Sequence, residues 1–369
     1  MTTSSRSRTP RTRIKLGSDP GDLLAALPYL LGFRPARSLV LIGHRGRRPS
    51  VVGRVARLDL PPPRYDEEAA AMVVTPGRMG DDFGVTLVVV GKHDEEPQAP
   101  RALGGRLPHS GLVDAVGARL AGCGIGLLHA MWVPEIGTGE QWHCYQDTGC
   151  GGVLPEIESS VAAATVSATG QVTYGSRDEM AAVLAPDPPD ALARRSALLA
   201  KASVAARGDP AWSDKATAAG LAVVRAALTE SERGTLDLTD DRIVRLATAL
   251  GNSRVRDACL ALAVNAADEP CRAAERLWLA LTRATPAPER ADPASLLAYA
   301  HYQRGSGAFA VMALEAALDA DPGHVLSTLL LACLNKALPP RQVAGVGRSA
   351  KDDLGWPEPA GPTEPGGTG

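Results

Sequence analysis

Apolar residues in the first half of the chain follow two different spacings, which predicts alternating helices and strands. Leucines recur at helical spacing over residues 23–31, behind an N-cap at Asp19 and an acid at Asp22. Ser38–Ile42 and Gly84–Val90 are continuous apolar runs, typical of strands buried on both faces. This alternation predicts an α/β domain with a mostly parallel or mixed sheet flanked by helices.

Prolines, glycines and capping residues predict where the elements of this half end. The opening helix should kink or stop at Pro28, which removes an internal hydrogen bond, and Gly32 is a fair stop. The remaining predicted elements are strands at 51–60, 125–133 and 171–174, helices at 66–74, 107–120 and 159–165, and a hairpin arm at 141–145 with a turn at 149–152. A capping box at Ser176–Glu179 opens another helix, and Pro186–Pro189 marks a domain boundary.

The second half of the chain shows only helical spacing. Helices are predicted over residues 190–206, 211–230, 240–250, 253–267, 270–284, 293–304, 308–320 and 323–337. We therefore predict an α/β domain over residues 14–186, followed by an all-α domain over 190–338. Residues 1–13 contain no acid and almost nothing apolar, which predicts a disordered basic tail, and the Pro- and Gly-rich residues 339–369 predict a flexible one.

One stretch of the helical half, residues 291–324, resembles a single tetratricopeptide repeat. Gly305 stands at the turn, and the packing positions of the second helix are occupied by Ala310, Leu314 and Ala317. Ala294 stands where such repeats place their first large aromatic residue. Since one repeat cannot bury its own faces, the resemblance implies a short, degenerate α-solenoid, a TPR-like domain.

Composition and charge narrow the class of function. The 369 residues suggest about two domains. The net charge of -2 gives no basic field for nucleic acid, and the aromatic content of 4% is low for a base-stacking surface. No apolar run approaches the roughly 18 residues of a spanning helix, and no apolar segment follows the N-terminal arginines. We therefore expect a cytoplasmic protein that does not bind membranes.

The best metal-like cluster in the sequence is formed by His143, Cys144 and Cys150. Zinc needs about four ligands, and its strong signatures have more closely paired cysteines. Neighbours on a strand also point to opposite faces, and Cys123 and His129 would complete a set only through tertiary proximity. We expect no metal and no cofactor here, and inert thiols on a hairpin rim. A nucleophilic cysteine is a second interpretation, with Cys150 as the more exposed candidate.

Three glycine-rich loops are candidate anion sites. Gly122–Gly126 and Gly137–Glu140 lack the Lys-Ser/Thr ending of a phosphate-binding loop. Gly43–Arg48 is basic and follows a strand, but no helix start lies behind it. We favour a solvated hairpin loop for this segment.

Polar residues near the ends of core elements are the other candidates. The candidate ligand-binding residues of the α/β domain are Tyr29, Arg34, Arg57, Asp59, Trp142, His143 and Cys150. Strand ends are where sites form in α/β sheets. The competing interpretation, which we favour, is an ion pair between Asp59 and an arginine that fixes the corner at Phe33–Pro35. Arg256 and Asp257 are expected to make interhelical salt bridges.

The chain resembles the actinobacterial proteins that carry the domain of unknown function DUF4192. Several of its motifs are similar to theirs and occur in the same order. The resemblance covers roughly residues 14–340, and its motifs are Leu27–Pro35, Ser38–Gly43, Arg57–Pro61, Ser176–Glu179, Val255–Asp257 and Leu338–Pro340. It implies a bacterial, cytoplasmic protein and no particular activity. Relatives tend to carry a Trp and a Tyr followed by paired cysteines, whereas here Trp142–Tyr145 is followed by the single Cys150. The resemblance therefore does not support a metal or dithiol role at this place.

Three functional hypotheses follow. The leading one is a non-enzymatic interaction or regulatory protein whose helical domain binds a protein partner. The alternative is an enzyme or small-ligand-binding α/β domain, with a pocket near the Phe33–Pro35 corner and the Trp142–Cys150 loop. Nucleic-acid binding through the N-terminal arginines is disfavoured.

Overall fold

The computed structural model describes residues 19–44, 52–74, 84–92, 106–168, 171–205, 213–264 and 269–345. The chain divides into two compact units, Met1–Val183 with Leu334–Ala337 and Leu184–Cys333 with Leu338–Gly369. Among the described helices, none has the length and apolar character needed to cross a bilayer. The predicted N-terminal tail lies outside the described residues, as do residues 45–48 of the basic loop.

The first unit is built on a six-stranded sheet. Its strands are β1 (Ser38–His44), β2 (Val52–Asp59), β3 (Gly84–Val90), β4 (Gly126–Val133), β5 (Gln141–Cys144) and β6 (Gly151–Val153). They lie in the order β2-β1-β3-β4-β5-β6. Strands β3 and β4 pair in parallel, and the other neighbours are antiparallel. The prediction of a mixed sheet is confirmed.

Helices cover this sheet. They are α1 (Pro20–Leu31), α2 (Asp66–Val73), α3 (Ser110–Gly122), α4 (Val161–Ala168) and α5 (Arg177–Ala182). Every residue of β1 and β3 is buried, as their continuous apolar runs predict for central strands. One core cluster joins alternate residues of β1, β3 and β4 to the apolar sides of α2 and α3. Within it, the Trp132 indole donates a hydrogen bond of 3.0 Å to the carbonyl of Gly91.

The opening helix does not stop at Pro28, which was one of the two outcomes predicted there. Asp19 caps it, accepting a 2.8 Å hydrogen bond from the Gly21 amide, but the helix continues through Pro28 to Leu31. It ends at Gly32, whose φ of 81° lies in the left-handed region that favours glycine. Pro28 and Leu31 are both buried, so core packing outweighs the lost internal hydrogen bond.

The strand predicted at 171–174 is wrong. Among the described residues of this segment, only Tyr174 forms a bridge, and it pairs in parallel with Phe33. The Arg34 amide donates to the Tyr174 carbonyl at 3.0 Å, and the Tyr174 amide donates to the Gly32 carbonyl at 2.9 Å. The helix predicted at the Ser176 capping box is confirmed as α5, since the Ser176 hydroxyl accepts from the Glu179 amide.

The second unit is a run of packed helices, as predicted. They are α6 (Pro189–Ala205), α7 (Asp214–Arg233), α8 (Asp240–Leu250), α9 (Ser253–Cys259), α10 (Glu269–Ala284), α11 (Ala291–Arg304), α12 (Gly307–Ala320) and α13 (Val325–Asn335). The helix expected over 253–267 ends early, because a 3-10 segment, Leu260–Val264, follows α9. Arg256 bridges α9 and α11 through a 3.1 Å ion pair with Asp292 and also contacts Asp257, which confirms the interhelical salt bridge.

Two details of this unit concern the predicted repeat and tail. Gly305, with a φ of 91°, joins α11 to α12, which form a packed helical hairpin. Residues 340–345 are helical, so this part of the predicted flexible tail is ordered. Val343 and Ala344 are buried there, and the Tyr299 hydroxyl donates to the Val343 carbonyl at 3.5 Å. Apolar burial therefore extends the helical unit past residue 338.

Candidate functional site

Tyr29 and Arg34, at the corner after α1, contact the segment that precedes α4. The Tyr29 hydroxyl donates a 3.3 Å hydrogen bond to the Ile157 carbonyl, and Arg34 pairs with Glu158 at 3.4 Å. Burial raises the pKa of Tyr29, and the charge of Glu158 adds to this effect while Arg34 opposes it. Both ion-pair partners are well exposed, so this pair contributes little to stability.

Arg57 is held by structural partners. Its Nε donates a 2.8 Å hydrogen bond to the Ser38 hydroxyl, its guanidinium lies 5.8 Å from the centroid of the Phe33 ring, and it pairs with Asp59. The Arg57 side chain is 14% exposed and that of Asp59 is 76% exposed. This geometry favours the interpretation in which an Asp59–Arg57 pair fixes the corner.

The structure does not bring all the candidate residues together. Arg57 and Asp59 lie on β2 at one edge of the sheet, whereas Trp142 and His143 lie on β5, beyond β1, β3 and β4. Four strand spacings correspond to about 19 Å. Trp142 is 4% exposed, and its indole packs beside Gly21 and Gly152. Trp142 therefore packs the hairpin against the start of α1.

A cleft lies beyond the carboxyl ends of β2 and β3. It encloses about 260 Å³ and is lined by Arg37, Leu60, Pro61, Pro62, Pro63, Lys92 and His109. Arg37 and His109 both have left-handed backbones, with φ of 44° and 56°, although neither is glycine. Lys92 makes a 2.9 Å ion pair with Glu135. Sequence reasoning missed these residues, although their positions beside strand and helix ends were a usable signal.

A cluster of potential metal ligands lies between the middle of β4 and the β5–β6 hairpin. It consists of His129 on β4, Cys144 on β5 and Cys150 just before β6, and it is called the hairpin cluster below. Its ligand atoms all lie within 4.8 Å of one another, and the Cys150 Sγ is 3.5 Å from the His129 Nε2. Cys144 is buried, and the other two are partly buried.

Strand pairing explains why these three side chains meet. Cys144 lies opposite Met131, which is two residues from His129 and therefore on the same face of β4. The Cys144 amide donates to the Cys150 carbonyl at 3.1 Å, which aligns the two cysteines across the hairpin. The pairing of β3 with β4 changes register at one point, because Val85 pairs with Leu127 but the next residue, Thr86, pairs with His129. This irregularity sets the position of the histidine.

His143 points to the other face, as strand alternation predicts. Its ring stacks on Trp132, with centroids 6.0 Å apart. Cys123 is exposed at the end of α3 and does not belong to the hairpin cluster. Of the metal-like cluster noted in the sequence, Cys144 and Cys150 lie together, but His129 and not His143 lies beside them.

The electrostatics of the metal-free cluster do not favour a nucleophilic cysteine. Burial raises the pKa of Cys150, and the neighbouring Cys144 and Asp147 raise it further. Burial lowers the pKa of His129. A neutral thiol beside a neutral imidazole is a weak nucleophile, since reactivity requires the thiolate. In the helical unit, burial also raises the pKa of Cys271, to about 12.

Comparison with known proteins gives one match. No curated protein and no solved structure matches the chain. The sequence pattern of a domain of unknown function, DUF4192, matches residues 20–341. The matched range begins with α1, includes the whole sheet and extends past α13. Because it covers most of the chain, the protein is a member of the DUF4192 family.

Proposed function

We propose that the protein is a non-enzymatic interaction protein that binds a protein partner through α13 of its helical unit. The observation that carries this proposal is an apolar stripe on that helix, formed by Val325, Leu329 and Ala332. Val325 is 68% exposed and Leu329 is 58% exposed. No residue between Val325 and Asn335 is charged.

Helix spacing makes these residues one continuous surface. Positions four and three apart lie on the same side of a helix, so Val325, Leu329 and Ala332 share one side. Ser327 and Leu330 of α13 are buried, whereas Val325, Leu329 and Ala332 are exposed.

The proposed occupant is an amphipathic helix of the partner protein. In the tetratricopeptide-like interpretation, α11 and α12 form one repeat and α13 begins the next helical layer. An apolar helix face is satisfied by another helix with apolar residues at matching spacing. We extend the proposal to a cytoplasmic, actinobacterial setting, which the family resemblance supports.

The test compares Leu329→Glu with Val161→Glu, a matched change at another exposed apolar position, 69% accessible on α4. Tagged wild-type and variant chains would be used to capture proteins from the cells that naturally produce this protein. A partner retained by wild type and Val161→Glu would then be purified and titrated. We expect Leu329→Glu to weaken its binding at least tenfold, because a desolvated charge is costly in an apolar interface.

The proposal is contradicted if the purified partner binds Leu329→Glu as tightly as wild type. Finding no partner lost from the Leu329→Glu capture would also overturn it. Circular dichroism of both variants establishes that the helices are intact.

A second candidate function is binding of a small anion in the cleft of Arg37, Lys92 and His109. It rests on basic side chains around one cavity and on two strained backbones beside it. Strained residues cluster at functional sites, and α/β sheets bind ligands beyond the carboxyl ends of their strands. The alternative hypothesis from the sequence places a ligand pocket of the α/β domain near Tyr29 and Arg34, whereas this candidate places it at Arg37.

Inorganic phosphate is the probe for this candidate. Isothermal titration should detect binding that is weakened by Lys92→Gln and unchanged by Lys215→Gln, an exposed lysine on α7. Equal binding by both variants, or none by the wild type, would exclude the cleft as a phosphate site.

A further inference from the structure

We infer that His129, Cys144 and Cys150 bind one Zn²⁺ ion, with the fourth tetrahedral position open to water or a ligand. This inference is independent of the proposed partner surface, because the hairpin cluster lies in the first unit, whereas Val325, Leu329 and Ala332 lie in the second.

The distances are close to those of a tetrahedral site. Zinc binds thiolate at about 2.3 Å and imidazole at about 2.0–2.1 Å, so sulfur and nitrogen ligands should lie about 3.6 Å apart. The Cys150 Sγ and the His129 Nε2 are 3.5 Å apart. All three ligand atoms lie within 4.8 Å of one another, and tetrahedral zinc places two thiolate sulfurs about 3.8 Å apart. Small rotations of the side chains are enough to close the site.

The ligand atoms of the cluster, two sulfurs and one nitrogen, indicate which metal it would bind. Two thiolates and one imidazole suit zinc, whereas calcium and magnesium require oxygen ligands. No carboxylate belongs to the cluster among the described residues. Three protein ligands with an open fourth position form the arrangement of zinc sites that bind water or substrate, whereas closed structural sites have four.

The framework holds the ligands in place before any metal binds. Besides the amide of Cys144, the Tyr145 amide donates to the Ala130 carbonyl at 2.9 Å and locks β5 to β4. The connecting loop is held by Asp147, whose side chain accepts from the Gly149 amide at 2.8 Å and whose carbonyl accepts from the Cys150 amide at 3.2 Å. Ligands on paired strands keep their geometry better than ligands on free loops.

The sequence alone could not select this set. Five residues separate Cys144 from Cys150, which is wider than the paired spacing of common zinc motifs. His129 joins them only through the pairing of β4 with β5. Our inference departs from the prediction of inert thiols and no metal, and it names a specific ligand set.

The experiment uses the full-length protein, purified with reductant. Its zinc content would be measured by mass spectrometry of the metals, and Co²⁺ would be titrated into the metal-free protein. We expect about one zinc per chain and the intense visible absorption of tetrahedral cobalt with a thiolate charge-transfer band. Cys150→Ser and His129→Asn should each weaken cobalt binding at least tenfold and change the spectrum.

Two matched variants serve as controls. His143→Asn changes the adjacent histidine that stacks on Trp132, and Cys123→Ser changes an exposed cysteine outside the cluster. Both should keep the cobalt spectrum and affinity of wild type. Cys144 is buried, so Cys144→Ser could disturb folding and is a less direct test. His129 and Cys150 are only partly buried, and their variants should retain the wild-type circular dichroism.

Several results would overturn the inference. One is a reduced wild-type protein with neither stoichiometric zinc nor a tetrahedral cobalt spectrum. Another is the finding, by disulfide mapping, that Cys144 and Cys150 form a disulfide, if the protein also fails to bind cobalt after that disulfide is reduced. That result would assign the cysteines to a redox pair. Equal loss of cobalt binding in His143→Asn would exclude His129 as the specific ligand.

Discussion

Arg195 donates a 2.7 Å hydrogen bond from its Nε to the carboxylate of Asp240 and so ties α6 to the start of α8. The same guanidinium donates to Asp187 at 2.7 Å and to the carbonyl of Ala284 at 2.9 Å. Only 10% of the Arg195 side chain is exposed. One arginine therefore joins three segments that are distant in sequence within the helical unit.

This relationship predicts that Asp240→Asn makes the helical unit less stable at neutral pH but not in acid. The hydrogen bond from Arg195 lowers the pKa of Asp240, and Arg194 contributes in the same direction against the effect of burial. Because the folded pKa lies below the unfolded value of about 3.9, the stabilisation is present above that pH. It is lost as pH falls through the folded pKa. Urea unfolding at neutral and strongly acidic pH should show the gap between wild type and variant closing in acid, and an unchanged gap would contradict the assignment.

His301 gives a second pH dependence in the same unit. Its ring packs on Phe309 with centroids 4.1 Å apart, and burial, with the charge of Arg304, lowers its pKa to about 3. The folded state therefore binds fewer protons than the unfolded state below pH about 6.5, so its stability falls as pH is lowered from there towards 3. His301→Gln should have a flatter stability profile between neutral pH and pH about 4 by urea unfolding. Parallel profiles would show that His301 does not titrate as described.

Variants of Arg57 and Asp59 test whether these residues have a structural role or bind a ligand at the corner at Phe33–Pro35. Arg57→Met should destabilise the α/β unit by about 1–2 kcal/mol, because it removes a charged donor from the Ser38 hydroxyl and a cation from the Phe33 ring. Asp59→Asn should change stability by less than about 0.5 kcal/mol, because exposed ion pairs contribute little. Denaturant unfolding tests both variants. A larger effect for Asp59→Asn would reverse this interpretation.

Arg37→Gly should stabilise the α/β unit while weakening phosphate binding. The φ of 44° at Arg37 is one that glycine adopts without strain, so relief should exceed the entropy cost of glycine by about 0.5–1 kcal/mol. Ala36→Gly is the matched control, since Ala36 lies outside the left-handed region and should lose about 0.5–1 kcal/mol. Thermal unfolding and phosphate titration measure the two effects. Destabilisation by Arg37→Gly would show that contacts of its side chain outweigh the strain.

Much of the architecture could be predicted because its signals are local. The apolar run Gly84–Val90 and the periodic stretch Asp240–Leu250 match the observed elements residue for residue. The functional candidates were harder, because they depend on which strands pair and in which register. Pro28 illustrates the other limit, since α1 continues past it where the surrounding residues are buried, and burial is not visible in the local sequence.

The bridge between Phe33 and Tyr174 has a consequence for how the protein is made. It joins the beginning and the end of the α/β unit across about 140 positions, whereas contacts such as those between α11 and α12 join near neighbours. Contacts at long sequence separation form slowly. During translation, the corner after α1 therefore cannot complete its native pairing until residue 174 has left the ribosome. The backbone groups of Gly32 and Arg34 that pair with Tyr174 therefore lack these partners for most of the synthesis of this unit.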